Sequence, residues 1–222
     1  HDTGASGRGH NAGDAAPPPR DMAGATLGEG LRSTVYHRLL LACLLFTLTI
    51  IATVVHFVPI LTDAGTDPVA AAGIASIIGL TSIAGRLGTG MLLDRLPASW
   101  VGAAAFMLPV IACVLLAGTG NSHSAQAIAA ALIGLTLGAE IDVVAYLVTR
   151  HFGLRSFGGL YGGLLAALSI GTAAGPLGAA KVFDTTGSYA AFLWASAGLL
   201  LIASLALIGP PRPGPARYTQ AC

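Results

Sequence analysis

The sequence predicts an all-α membrane protein in which six transmembrane helices form two inverted three-helix repeats. Three observations predict it: a composition too poor in charge for water, six long apolar runs, and a likeness between the first and last three runs. Of 222 residues, 54% are hydrophobic and 9% charged, with mean hydropathy +0.75. A soluble domain carries about 25% charged residues, so much of this exterior must face lipid. The net charge of +1 gives no basic field for nucleic acid. Cys43, Cys113 and Cys222 form neither a disulfide framework nor a metal-ligand spacing.

A helix crossing a hydrocarbon core of about 30 Å needs about 20 apolar residues. The runs Leu39–Leu61, Val69–Leu93, Trp100–Ala117, Ala125–Val148, Gly158–Ala180 and Tyr189–Ile208 fit that length, with turn-rich connections between them. Six crossings put both ends on one side, together with Arg8, Arg20, Arg32, Arg38, Arg95, Arg150, Arg155, Arg212 and Arg217. Lys181 is left opposite, beside Asp63, Asp67 and Asp184. The positive-inside rule makes the arginine side cytoplasmic, and a bacterial inner membrane is the expected location. Residues 1–36 read as a flexible cytoplasmic linker, 37–208 as the helical bundle and 209–222 as a cytoplasmic tail. His1 rather than Met stands first, as in a fragment or a processed product, and residues 1–36 lack the apolar core of a secretory signal.

The first run begins near Tyr36 and the fourth near Gln126; the third begins at Trp100 and the sixth at Ala190. Gly85, Leu87, Gly88 and Asp94 recur at equal spacing as Gly175, Leu177, Gly178 and Asp184. Three helices separate the copies, so the second enters the membrane upside down, as inverted repeats of transporters do.

Gly90-Met91-Leu92-Leu93-Asp94-Arg95 resembles the loop signature G-x-x-x-D-R of the major facilitator superfamily. Gly138 to Leu147, continuing into Arg150–Gly158, resembles the fourth span of the carboxyl half in bacterial members, and Gly171 to Gly178 resembles their fifth. His56-Phe57-Val58-Pro59 and the Gly85-Arg86 pair are similar to the monocarboxylate and oxalate–formate branch. The resemblance implies one half of a twelve-span fold, here the carboxyl-terminal one. It also implies a partner amino-terminal six-helix half, a small-molecule substrate moved by alternating access, and protons as a candidate coupling ion. Small organic anions are the solute class suggested by Arg86 and that branch.

A charge at the bilayer centre costs about 2.5–3.5 kcal/mol on insertion scales, so intramembrane charges mark function by default. Arg86, Glu140 and Asp142 are the three well inside the runs. They can meet at one depth, and Arg86 is expected to pair with Asp142 or Glu140, leaving the other acid for a proton or solute. Packing alone is the plainer role for such a pair. His56 and Tyr146 join the solute- and proton-handling candidates, with a packed neutral histidine the blander reading of His56. Asp94, Arg95 and Arg150, at the membrane edge, are cytoplasmic gate candidates by the resemblance, and ordinary topology-setting charges otherwise.

Ala167, Gly171, Gly175 and Ala179 repeat every four residues on one face of the fifth span, and Gly134 and Gly138 do so in the fourth. Such faces admit close helix approach in lipid; Gly171, Gly175 and Pro176 are therefore candidates for packing and bending. The chain carries no Walker loop, H-E-x-x-H or G-x-S-x-G, so an enzyme, a cofactor and a metal are not expected. The rival reading is a stand-alone six-helix channel or a non-transporting scaffold.

Overall fold

The structure, a computed structural model, describes residues 24–118 and 120–208. These form eight helices: α1 (Leu27–Arg32), α2 (Thr34–Val55), α3 (Phe57–Asp63), α4 (Pro68–Leu93), α5 (Ala98–Gly118), α6 (His123–Phe152), α7 (Phe157–Thr186) and α8 (Ala190–Ile208). Six of them, α2 and α4 to α8, are long and apolar enough to cross a membrane. The tail from 209 and residues 1–23 of the expected linker lie outside the described residues.

Local chemistry sets the boundaries. The Asp67 carboxylate caps α4 by accepting from the Val69 and Ala70 amides at 3.0 and 3.2 Å, with Pro68 at the first helical position. Gly153 and Gly187 end α6 and α7 with φ of 73° and 68°. The first run, expected as one helix, is two. Pro59 has no N–H for the Val55 carbonyl and crowds it, and the chain breaks between them at His56 (φ −93°, ψ 10°).

Part of the segment read as linker is ordered. Thr26 and Glu29 form a capping box at the start of α1, and the Thr26 backbone and hydroxyl bonds hold the Glu29 carboxyl below its ordinary range. The Ala25 amide donates to the Phe152 carbonyl at 2.8 Å. Leu27 lies over Gly159 and Gly30 against Leu160, so α1 docks on the first turn of α7.

The helix starts repeat: Thr34, Pro68 and Ala98 are followed 89, 89 and 92 residues later by His123, Phe157 and Ala190. The packing repeats too. α4 lies along α6 as α7 lies along α2, α5 meets α6 as α8 meets α2, and α5 and α8 pair across the centre. Gly85 of α4 sits against the Leu135 backbone of α6; Gly175 of α7 sits against the Leu48 backbone of α2. A Cβ on either glycine would collide with that leucine's carbonyl. The glycines aligned by sequence thus occupy equivalent crossings. The aligned starts Tyr36 and Gln126 are equivalent as well, each tying its helix to the start of a neighbour. Tyr36 donates to the Leu160 carbonyl at 3.1 Å, and Gln126 Nε2 donates to Thr66 Oγ1 at 2.8 Å.

The core lies where α2, α5, α6 and α8 meet. Phe46 stacks on Phe106 at 4.1 Å between centroids. The Ser204 and Thr136 hydroxyls donate to the Ala103 and Ala105 carbonyls of α5, both at 2.9 Å. By contrast α4 and α7 bury a narrow face, in which small residues such as Ala71, Gly85, Gly171 and Gly175 alternate with leucine and isoleucine, and leave Leu80, Ile83, Leu87, Ile170 and Leu177 exposed.

Gly85→Ala and Gly175→Ala are each expected to cost about 1–3 kcal/mol of stability by overpacking. Gly88→Ala, whose Cβ meets nothing within 4 Å, should be neutral or stabilise by up to about 1 kcal/mol. Unfolding midpoints in detergent check all three.

Candidate functional site

Two of the candidate residues, Glu140 and Arg86, lie on the face formed by α2, α4, α6 and α7, where two open recesses flank α6. One, of about 420 Å³, is lined by Thr47 and Ile51 of α2, Glu140 and Ile141 of α6, and Leu168, Ser169 and Thr172 of α7 among others. The second, of about 350 Å³, holds Arg86 with Ile78, Ser82 and Ile83 of α4 and Leu137 and Gly138 of α6.

Glu140 is 6% exposed, and its Oε1 is buried without a hydrogen-bond partner. Burying an unpaired carboxylate is costly, so the site calls for a proton or another cation. The Thr47 and Ser169 hydroxyls do not supply a donor. Thr47 Oγ1 donates to the Cys43 carbonyl at 2.7 Å and Ser169 Oγ to the Leu165 carbonyl at 2.9 Å. Pro176 adds a further acceptor, since it has no N–H for the Thr172 carbonyl four residues before it.

Arg86 does not pair with either acid. Among the described residues no ion pair joins it to Glu140 or Asp142. Matching depth along the helices left out direction around α6. Gly138 faces α4, packed on the backbone of Ser82 and Arg86. Glu140, two residues and about 200° further on, faces α2 and α7 instead. α6 therefore stands between the guanidinium and this acid. Asp142 is half-buried, Tyr146 is exposed, and neither lines these two recesses. Asp94, Arg95 and Arg150 are exposed at the ends of α4 and α6.

His56 sits in the break between α2 and α3 and bonds through both ring nitrogens. Nε2 lies 3.1 Å from the Pro176 carbonyl and Nδ1 2.9 Å from the Tyr189 hydroxyl. A carbonyl only accepts, so Nε2 carries the proton, and in the neutral ring Nδ1 accepts from Tyr189. The Tyr189 amide in turn donates to Asp63 Oδ2 at 3.4 Å. This joins the broken first span to α7 at its proline and to the start of α8. Gly171, on the same α7 face, meets Leu44, Thr47 and Leu48 of α2.

Sequence reading did not find the clasp at the opposite end from α1. Thr66 Oγ1 donates to Asn121 Oδ1 at 2.8 Å while accepting from Gln126, which also donates to the Gly120 carbonyl at 3.2 Å. A glutamine at the start of an apolar span was the available signal, and the structure buries it fully. Thr47, Ser169 and Thr172 were also missed, because isolated hydroxyls in apolar helices normally bond back to their own helix.

The site thus lies on the open face of six apolar helices arranged as two inverted triplets, with an unpaired acid beside it. The family described as "Uncharacterised MFS-type transporter YbfB" matches residues 18–208, and the chain belongs to this major facilitator family. It is 33% identical over 208 residues to a chloramphenicol resistance protein of Streptomyces lividans, covering 89% of this chain and 52% of that protein. The chain thus spans about half the length of that curated relative. Its fold matches the crystal structure of a variant of the E. coli fucose:proton symporter FucP with a TM-score of 0.67 and 17% identity, over 82% of this chain and 44% of that one.

His56→Leu leaves the Tyr189 hydroxyl without its acceptor and should cost about 1–3 kcal/mol, against about 1 kcal/mol for Tyr189→Phe. The double variant is expected to cost less than the sum, since the two share one bond; denaturant unfolding in detergent provides the comparison.

Proposed function

We propose that the chain is the carboxyl-terminal half of a secondary active transporter that moves a small organic solute by alternating access. An amino-terminal six-helix half covers the face of α2, α4, α6 and α7, and both ends of the chain are cytoplasmic. The observation that carries this reading is Glu140: an acid 6% exposed, without a partner for Oε1, in the wall of an open recess. An ionisable group so placed in a membrane helix serves a proton or solute pathway by default. The two matched proteins are a fucose:proton symporter and a chloramphenicol resistance protein, and both fit coupled movement of a small solute. Arg86, in the second recess, offers a contact for an anionic group, in keeping with the likeness to the monocarboxylate and oxalate–formate branch. His56 holds the break in the first span against α7, while Asp94, Arg95 and Arg150 serve the cytoplasmic closure.

Co-expression of the chain with its amino-terminal half should give uptake or efflux of one of three radiolabelled solutes, chloramphenicol, L-fucose or acetate, that neither half gives alone. Glu140→Gln should abolish the dependence of that flux on a pH gradient, and Arg86→Ala should lower it. Flux from this chain alone supports the channel; unchanged pH dependence in Glu140→Gln removes the acid from coupling.

A further inference from the structure

The polar part of the recess around Glu140 is one carboxyl and the hydroxyls of Thr47, Ser169 and Thr172. The carboxylate Oε1 is buried and unpartnered. The Thr47 and Ser169 hydroxyl protons are committed to the Cys43 and Leu165 carbonyls, so their oxygens offer lone pairs. Thr172, also in the wall, has a backbone carbonyl that Pro176 deprives of its helical donor. Among the described residues, no Lys, Arg or His pairs with Glu140; Arg86 lies across α6 in the other recess. The remaining lining, Ile51, Ile141, Leu165, Leu168 and Ala173, is apolar. A wall with one uncompensated negative charge, no cation, several acceptors, the Thr172 hydroxyl free to donate or accept, and an apolar remainder is complementary to a positively charged donor on an apolar body.

We infer that this recess binds the ammonium group of an organic amine, which takes the place of the proton on Glu140. The inference rests on the transporter reading and deepens it by giving the solute a chemical class. The charge balances: one proton leaves the carboxyl as one R–NH3+ enters, so the site holds one positive charge in either state. The ammonium donates to the carboxylate and has protons left for the Thr172 carbonyl and the hydroxyl oxygens. A neutral alcohol could donate to the same acceptors but leaves the carboxylate charge uncompensated, and a carboxylate solute meets like charge. The titratable neighbours are few: Cys43 on α2, Tyr161 on α7, and Asp142 two residues along α6.

The experiment uses the full chain in lipid nanodiscs, with a hydrophobic carbodiimide that modifies protonated carboxyl groups in apolar surroundings. Modification of Glu140 is followed by mass spectrometry in the presence of benzylammonium, benzyl alcohol or benzoate, probes of nearly equal size. Saturating benzylammonium should slow the modification about tenfold by mass action, with little effect from the other two. Binding of radiolabelled benzylammonium by equilibrium dialysis is the second measurement. Glu140→Gln should weaken it about tenfold, and Ser82→Ala, in the other recess, should leave it unchanged. Equal protection by benzyl alcohol or benzoate, or equal binding by wild type and Glu140→Gln, overturns the ammonium assignment. Proton-dependent flux that persists alongside such a result leaves the transporter reading standing. Ammonium binding with no flux of radiolabelled benzylammonium or of the three other solutes in the co-expressed halves fails the transporter reading instead.

Discussion

Two helix crossings, each made where a glycine lets one backbone rest on another, hold the bundle together. In lipid the helices gain no hydrophobic driving force from meeting, so close van der Waals contact and polar bonds must supply the association. Gly85 on Leu135 joins α4 to α6, and Gly175 on Leu48 joins α7 to α2. Gly134 and Gly138 extend the first crossing along Ile78 to Arg86, and Gly171 extends the second along Leu44 to Leu48. Because the pairs α4–α6 and α7–α2 are copies turned over in the membrane, one local solution serves twice. The remaining helices, α5 and α8, close the back of the bundle through Phe106, Ser204 and Thr136.

The site follows from these crossings. Gly138 commits one side of α6 to α4, which turns Glu140 towards α2 and α7 and leaves Leu137 and Ile141 to face the opening. The same geometry separates Arg86 from Glu140, so the acid has no cation of its own. Pro176 acts in both directions. Towards α2 its carbonyl receives His56, and one turn earlier it releases the Thr172 carbonyl beside the Glu140 recess. A helix held by glycines on one face and interrupted by proline in the middle can change its bend without breaking side-chain contacts.

Much of this was legible in the sequence. Hydropathy marks all six spans, because lipid demands long apolar runs whatever the partner helix. The repeat was legible in Gly85 and Gly175, where a backbone contact tolerates no other side chain. The linker's short helix was not, since its six residues are stabilised by the Thr26–Glu29 box and by Gly159 and Leu160, more than a hundred residues away. The break at His56 could have been read from Pro59. The Arg86 pairing failed for a different reason: depth can be counted along a helix, whereas facing direction depends on which neighbour each glycine meets.

The inverted arrangement requires the α4–α5 and α6–α7 turns to share one membrane face, and the α5–α6 and α7–α8 turns to share the other. Single cysteines at Leu96, Ser156, Ser122 and Ser188, in a background lacking Cys43, Cys113 and Cys222, report this through an impermeant maleimide applied to intact cells. Ser122→Cys and Ser188→Cys should label directly, and Leu96→Cys and Ser156→Cys only after permeabilisation. Labelling that places Leu96→Cys and Ser156→Cys on opposite faces would contradict the inverted repeat.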